Sequence, residues 1–193
     1  MKQGVRWLAW AGTAALLAFY AKVGMLAAEP TVGHLYRLYY IDKGLRDWNH
    51  GKGPVYQLGQ ELDFRQALPF LSRVGWAYPE DWGTWTDGPV AELHFRVRGM
   101  PSSVSMEVNP FVAPQAGLPA QTVRIFANGV GAGEYSLQSA QTLHVELPAS
   151  AMTNGNEFLT LRFEMPHASS PLKMGLSPDG RLLGIGVRRL SVN

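Results

Sequence analysis

Three carboxylates lie within eight residues of one another, at Glu80, Asp81 and Asp87, and four rings with polar handles are threaded between and around them: Trp76, Tyr78, Trp82 and Trp85. Two chemistries use such a set. Paired carboxylates hydrolyse glycosidic bonds when they face each other across a sugar ring at about 5 to 9 Å. Indole and phenol rings beside carboxylates stack on sugar faces and take hydrogen bonds from hydroxyls, while the same rings also serve as a lid over a hydrophobic core. The spacing disfavours hydrolysis, because all three acids fall on one turn and nothing in the sequence sets two of them across a ligand. The stretch therefore reads as non-catalytic, with Trp82, Trp85, Tyr78, Asp87 and Glu80 as candidate ligand-binding residues and Trp76, which follows Gly75 directly, as a core residue. Trp82 and Trp85 are three apart across Gly83, so their rings are expected to share one side of a turn.

The segment Gly75–Gly88 that carries these groups holds three glycines and Pro79. That composition predicts a strand end, a tight turn and a second short extended piece, with no helix. Downstream of residue 54 the apolar period is two. Val55–Phe64 reads as a strand, and Val90–Val97 sets Ala91, Leu93, Phe95 and Val97 against Glu92, His94, Arg96 and Arg98. The same alternation recurs at Val104, Met106 and Val108, through Gln121–Ala127, at Leu143, Val145 and Leu147, from Leu159 to Met165 and over Leu182–Val192. Asn128-Gly129 closes the 121–127 strand with a two-residue hairpin signal. Short strands separated by turn residues predict an all-β fold, an antiparallel β-sandwich of the jelly-roll, galactose-binding-like kind, over residues 55–193.

Other chemistries lack their residues. The chain of 193 residues has no cysteine, which removes disulfides and thiolate ligands. His34 and His50 have no histidine partner at metal-binding spacing, and His94 and His144 fall on the polar sides of strands, so no metal is expected. No nucleophile elbow, P-loop or dinucleotide fingerprint occurs, and no cofactor is implied. Gly129–Gly133 lies inside a hairpin and not at a helix start, while Asp179 and Arg181 in the Ser177–Arg181 turn are spaced for a local ion pair. The formal charge is +2 over the whole chain; without Lys2, Arg6 and Lys22, the remainder holds 14 basic residues against 15 acidic ones. A nearly neutral domain of this kind is not a nucleic-acid surface.

The amino-terminal region has a different pattern. Lys2 and Arg6 precede an uncharged, mostly apolar run from Trp7 to Ala21, and continuation to Ala28 gives 22 residues. As a helix that is about 33 Å, enough to span a bilayer. Leu26 and Met25 are poor residues before a cleavage point, and Lys22 and the edge aromatics suit interfacial positions, so residues 1–28 are expected to form an uncleaved transmembrane anchor. A removed signal peptide is the alternative. In either case the positive charges are expected to keep the amino terminus in the cytoplasm and to place everything after the apolar run outside it. Residues 29–54, with Leu35, Leu38 and Ile41 near helical spacing among tyrosines, read as a juxtamembrane connector.

Several of these segments together carry a resemblance. Gly75–Gly88, Val123–Gly129, Val145–Pro148, Leu159–Phe163 and Ser177–Val187 (Ser-Pro-Asp-Gly-Arg-Leu-Leu-Gly-Ile-Gly-Val) are similar to a β-sandwich domain found at the extracytoplasmic end of bacterial envelope glycosyltransferases and phosphoglycerol-transferase-like membrane proteins. The resemblance covers about residues 55–193. It implies an accessory role beside a membrane glycosyltransferase, with an envelope glycan or polysaccharide as ligand or, alternatively, a structural subunit that docks on such an enzyme without holding sugar.

Overall fold

A computed structural model describes residues 10, 12–23, 55–66, 68, 72–152 and 157–193. They fall into two units, within 1–44 and within 45–193. In the first, residues 12–23 are helical and Leu16, Leu17, Phe19 and Tyr20 are exposed. Among the described residues no helix is long and apolar enough to cross a membrane. The expected span from Trp7 to Ala28 thus lacks support in the structure, and its two ends lie outside the described residues. The expected connector at 29–54 lies outside them altogether.

Among the described residues of the second unit, ten strands form two five-stranded antiparallel sheets. In chain order they are β1 (Leu62–Asp63), β2 (Ser72–Val74), β3 (Thr84–Trp85), β4 (Val90–Arg96), β5 (Ser103–Pro110), β6 (Gln121–Ala127), β7 (Val130–Leu137), β8 (Gln141–Glu146), β9 (Phe158–Glu164) and β10 (Ile185–Val192). The first sheet runs β1-β10-β5-β8, with β3 also paired to β10, and the second runs β2-β4-β9-β6-β7. The chain changes sheet at every step except β6 to β7. Those two make the one hairpin between consecutive strands of the same sheet, and it turns on Asn128 and Gly129, both at positive φ (46° and 81°) as the sequence requires.

Period-two apolar residues explain the stacking. Val104, Met106 and Val108 of β5, Leu143 and Val145 of β8 and Ile185, Val187, Leu190 and Val192 of β10 turn inward. They meet Ala91, Leu93 and Phe95 of β4, Val123, Ile125 and Ala127 of β6 and Leu159, Leu161 and Phe163 of β9 in one core. Each fully buried Leu, Ile or Phe contributes about 1.5–3 kcal/mol relative to exposure, which makes this interface the main source of stability.

Two strand expectations need correction. Val55–Phe64 is not one strand: Leu58 and Gly59 form a turn with Gly59 at φ 81°, so Tyr56 makes an isolated parallel bridge to Val97 and only Leu62–Asp63 joins the first sheet. His94 is not a surface residue. Its register partner in β2 is Ser72, it retains only 9% exposure, its Nδ1 lies 3.2 Å from Thr160 Oγ1, and its Nε2 lies 3.4 Å from Glu92 Oε2. Desolvation pushes its pKa below the usual histidine value, more strongly than Glu92 raises it. His144, by contrast, is exposed on β8 as expected.

Candidate functional site

The aromatic segment is a hairpin laid against the first sheet. Its outgoing and returning arms are joined by the Trp76–Thr86 bridge and by Ala77 N–H donating to Trp85 O at 2.9 Å. Its tip is the two-residue turn Asp81-Trp82, closed by reciprocal Glu80–Gly83 backbone bonds of 2.8 and 3.1 Å. The returning arm then pairs with β10, with Trp85 opposite Gly186 and Thr84 opposite Val187. Strand alternation sends Thr84 and Thr86 inward and Trp85 outward. Thr84 donates to Phe64 O at 2.5 Å, and Thr86 Oγ1 accepts from the backbone N–H groups of Gly184 (3.2 Å) and Ile185 (3.1 Å). Both hydroxyls are buried, so these bonds fasten the hairpin at the cost of little unpaired polarity.

Close backbone contact is possible only because two glycines stand there. Gly83 has φ 156°, and a Cβ on it would lie 2.4 Å from Val187 O. A Cβ on Gly186 would lie 2.0 Å from Trp82 Cη2, so the indole rests directly on the β10 backbone. Trp82 and Trp85 contact edge to face with centroids 4.8 Å apart, and Trp85 continues the row to Phe111 at 6.4 Å. The expectation that the two rings share one side of the turn is met. Trp76 faces the other way: it packs on the core, against Phe64 at 5.5 Å and Phe163 at 5.9 Å, and its Nε1–H donates to Glu92 O at 3.0 Å.

The carboxylates have separate tasks. Glu80 Oε2 accepts from Trp82 Nε1–H at 3.0 Å while its Oε1 takes a 2.7 Å bond from Arg181 Nη1. Arg181 in turn grips Asp179 with its Nη2 at 2.7 Å, which is the local ion pair expected for that turn, extended by the arm to Glu80. The guanidinium beside it lowers the Asp179 pKa, and Asp179 with Glu80 raises that of Arg181. Asp87 Oδ1 accepts from Leu182 N–H at 3.0 Å. Tyr78 stands 90% exposed on the outgoing arm. Glu80 and Asp87 are therefore committed to bonds within the fold, and Asp81 alone of the three acids has no partner in the chain among the described residues.

Asp81 and Trp82 form one side of a cleft of about 550 Å³ on the outer face of the first sheet. Glu107, Val108 and Asn109 of β5, Ala140, Gln141 and Thr142 at the start of β8 and Arg188 of β10 complete it. Arg188 projects outward where the β5–β10 register slips between Val187 and Arg189. Because its Nε1–H is held by Glu80, Trp82 offers the cleft ring carbon rather than a hydrogen-bond donor. The volume lies within the range of small-ligand sites, and the lining combines an apolar wall with a few polar groups that fix orientation. Of the residues singled out in the sequence, Trp82 lines this cleft and Trp85 backs it, whereas Tyr78, Glu80 and Asp87 do not line it. The β5, β8 and β10 members were missed. They come from strands distant in sequence, and the one available signal was their position on the polar sides of alternating strands.

No protein-family model matches the sequence, and no curated protein does. Solved structures do. A carbohydrate-binding module, CBM36, in complex with calcium and xylotriose matches at 9% identity and TM-score 0.36, over 69% of this chain and 99% of that one. The CBM36-1 domain of a multidomain xylanase from the hindgut metagenome of Trinervitermes trinervoides matches at 6% and 0.37, over 69% and 95%. A family 35 carbohydrate-binding module from Clostridium thermocellum matches at 8% and 0.36, over 68% and 98%. Neither the identities nor the superpositions are high enough to carry a function across.

Proposed function

We propose that this chain is a membrane-anchored, periplasmic accessory protein whose jelly-roll, galactose-binding-like sandwich binds a glycan during assembly or modification of an envelope polysaccharide. The observation that carries the reading is the cleft: an indole wall from Trp82, seated on Gly186 and held by Glu80, lines it together with Asp81, Asn109, Gln141 and Arg188. A pyranose has an apolar face of C–H groups and a rim of hydroxyls, and an immobile ring beside planar polar side chains is complementary to both. A role in binding and not in catalysis fits the same geometry, since both oxygens of Glu80 are occupied within the fold and Asp87 caps a backbone N–H. The similarity of the aromatic and Leu-Gly-Ile-Gly segments to envelope transferase domains supports the cellular setting, and the apolar run after Lys2 and Arg6 supports the anchor.

Purified full-length chain, titrated with envelope polysaccharides by calorimetry, is expected to bind, and Trp82→Ala is expected to abolish binding while its thermal midpoint shifts by only a few degrees. Binding unchanged in Trp82→Ala would remove the cleft from the reading. Intact mass of the membrane-extracted chain beginning near Ala28 would replace the anchor by a cleaved signal peptide. A second reading, a subunit docking on a membrane enzyme, draws on Tyr78, whose 90% exposure outside the cleft leaves a ring free for a protein partner.

A further inference from the structure

Which sugars the cleft takes follows from charges that the fold has not already used. Glu107 leans toward Arg189, whose Nη1 lies 3.7 Å from its Oε1. Asp81 and Arg188 have no ion pair or hydrogen-bonded side-chain partner among the described residues, and both line the cleft. The lining charges without an ion-pair partner among the described residues are thus one carboxylate, an acceptor only, and one guanidinium, a donor only. Between them Asn109, Gln141 and Thr142 can each donate and accept.

We infer that the cleft selects an uncharged, hydroxyl-rich sugar residue over both acidic and amino sugars, an inference that rests on the glycan-binding reading above. A hydroxyl is at once donor and acceptor, so adjacent hydroxyls satisfy Asp81 and Arg188 together. A uronate or phosphate bonds Arg188 and leaves its charge facing Asp81. An ammonium bonds Asp81 and faces Arg188. In each charged case one favourable pair is made against one repulsion across the same cleft, and such like-charge juxtaposition is how sites reject wrong partners. Trp82 adds no charge preference, because its N–H is already spent on Glu80.

The test uses full-length protein and four probes: cellotriose and chitotriose as neutral ligands, deacetylated chitotriose as a cation and trigalacturonate as an anion. Wild type is expected to bind at least one neutral trisaccharide about ten-fold or more tighter than either charged one at low salt. Asp81→Asn leaves Arg188 unopposed and is expected to raise trigalacturonate affinity about ten-fold, while Arg188→Gln is expected to do the same for deacetylated chitotriose. Both side chains are exposed, so the variants keep the wild-type thermal midpoint. Wild type that prefers a charged trisaccharide, or single variants that leave the affinity for the matching charged trisaccharide unchanged, would overturn the selectivity while leaving glycan binding intact. Absence of binding to all four probes and to envelope polysaccharide would instead overturn the glycan reading and this inference with it.

Discussion

Replacement of Asn128 separates its role as a turn residue from its role as a brace. Its backbone φ of 46° is one that glycine tolerates and most residues do not. Its side chain does more than sit in the turn: Nδ2 donates to Ala151 O and to Phe158 O, each at 2.9 Å, and Oδ1 accepts from Thr160 N–H at 2.7 Å. The β6–β7 turn is thereby tied to the start of β9 and to the 3-10 turn Ala149–Ala151. Asn128→Gly keeps the turn conformation and deletes the three bonds, so it is expected to cost about 2–4 kcal/mol, each bond being worth about 1 kcal/mol and partly buried partners being left unpaired. Replacing Asn128-Gly129 with Val-Val adds backbone strain of about 1–3 kcal/mol to that loss. Asn128→Asp keeps Oδ1 but sets a carboxylate oxygen against two carbonyls. That raises the folded-state pKa of the new carboxyl, so the variant is less stable than Asn128→Gly at neutral pH and regains stability as pH falls toward about 4. Urea unfolding followed by tryptophan fluorescence measures all three. An Asn128→Gly midpoint equal to wild type would show that only the turn conformation matters and that the bonds contribute nothing.

Gly186→Ala places a methyl 2.0 Å from Trp82 Cη2, so it is expected to displace the indole and weaken glycan binding more than ten-fold with an unchanged β10 pairing, visible as loss of Trp82–Trp85 exciton coupling in near-ultraviolet dichroism. Trp76→Ala opens the core beside Phe64 and Phe163 and is expected to cost about 3–5 kcal/mol, measured as a lowered denaturation midpoint, in contrast to Trp82→Ala. Burial holds the His94 pKa below its unfolded value, so its neutral form contributes stability above about pH 6.5 that is lost as pH falls below it; His94→Gln should flatten that part of the stability curve. Asp63, paired with Arg65 at 2.7 Å, has its pKa lowered to about 2, and its contribution is present above pH 3.8 and lost as pH falls through about 2. Exposure of the pair keeps this to less than about 1 kcal/mol, and a carboxyl titration of Asp63 by NMR that returns to the ordinary value in Arg65→Gln would confirm the cause.

Residues whose neighbours are set by local spacing were readable. The alternation in β4, β5, β6, β8 and β9 identified both strands and core, and Asn128-Gly129 identified its hairpin, because side-chain period and turn chemistry act within a few residues. The short strands β1, β2 and β3 have two or three residues each and exist through partners far away in sequence, so no periodicity announces them. His94 looked exposed for the same reason: strand alternation put it on a polar side, and Thr160, which its ring meets, lies on β9, far away in sequence. The cleft shows this division within one site. Trp82 stood out by composition, but Glu107, Asn109, Gln141, Thr142 and Arg188 are unremarkable polar residues until β5, β8 and β10 lie side by side.

The place of β10 has a consequence for how the domain comes into being. It lies between β5 on one side and β1 and β3 on the other, yet follows every other described strand along the chain. During synthesis from the amino end, the first sheet has no interior strand until residues 185–192 emerge, and the Trp82 hairpin has no Gly186 to rest upon. The loops that must close are long, which makes this pairing slower than the formation of local hairpins such as β6–β7. The first sheet of such a chain closes, and the Trp82 cleft takes shape, in the single step that sets β10 between β5 and β3.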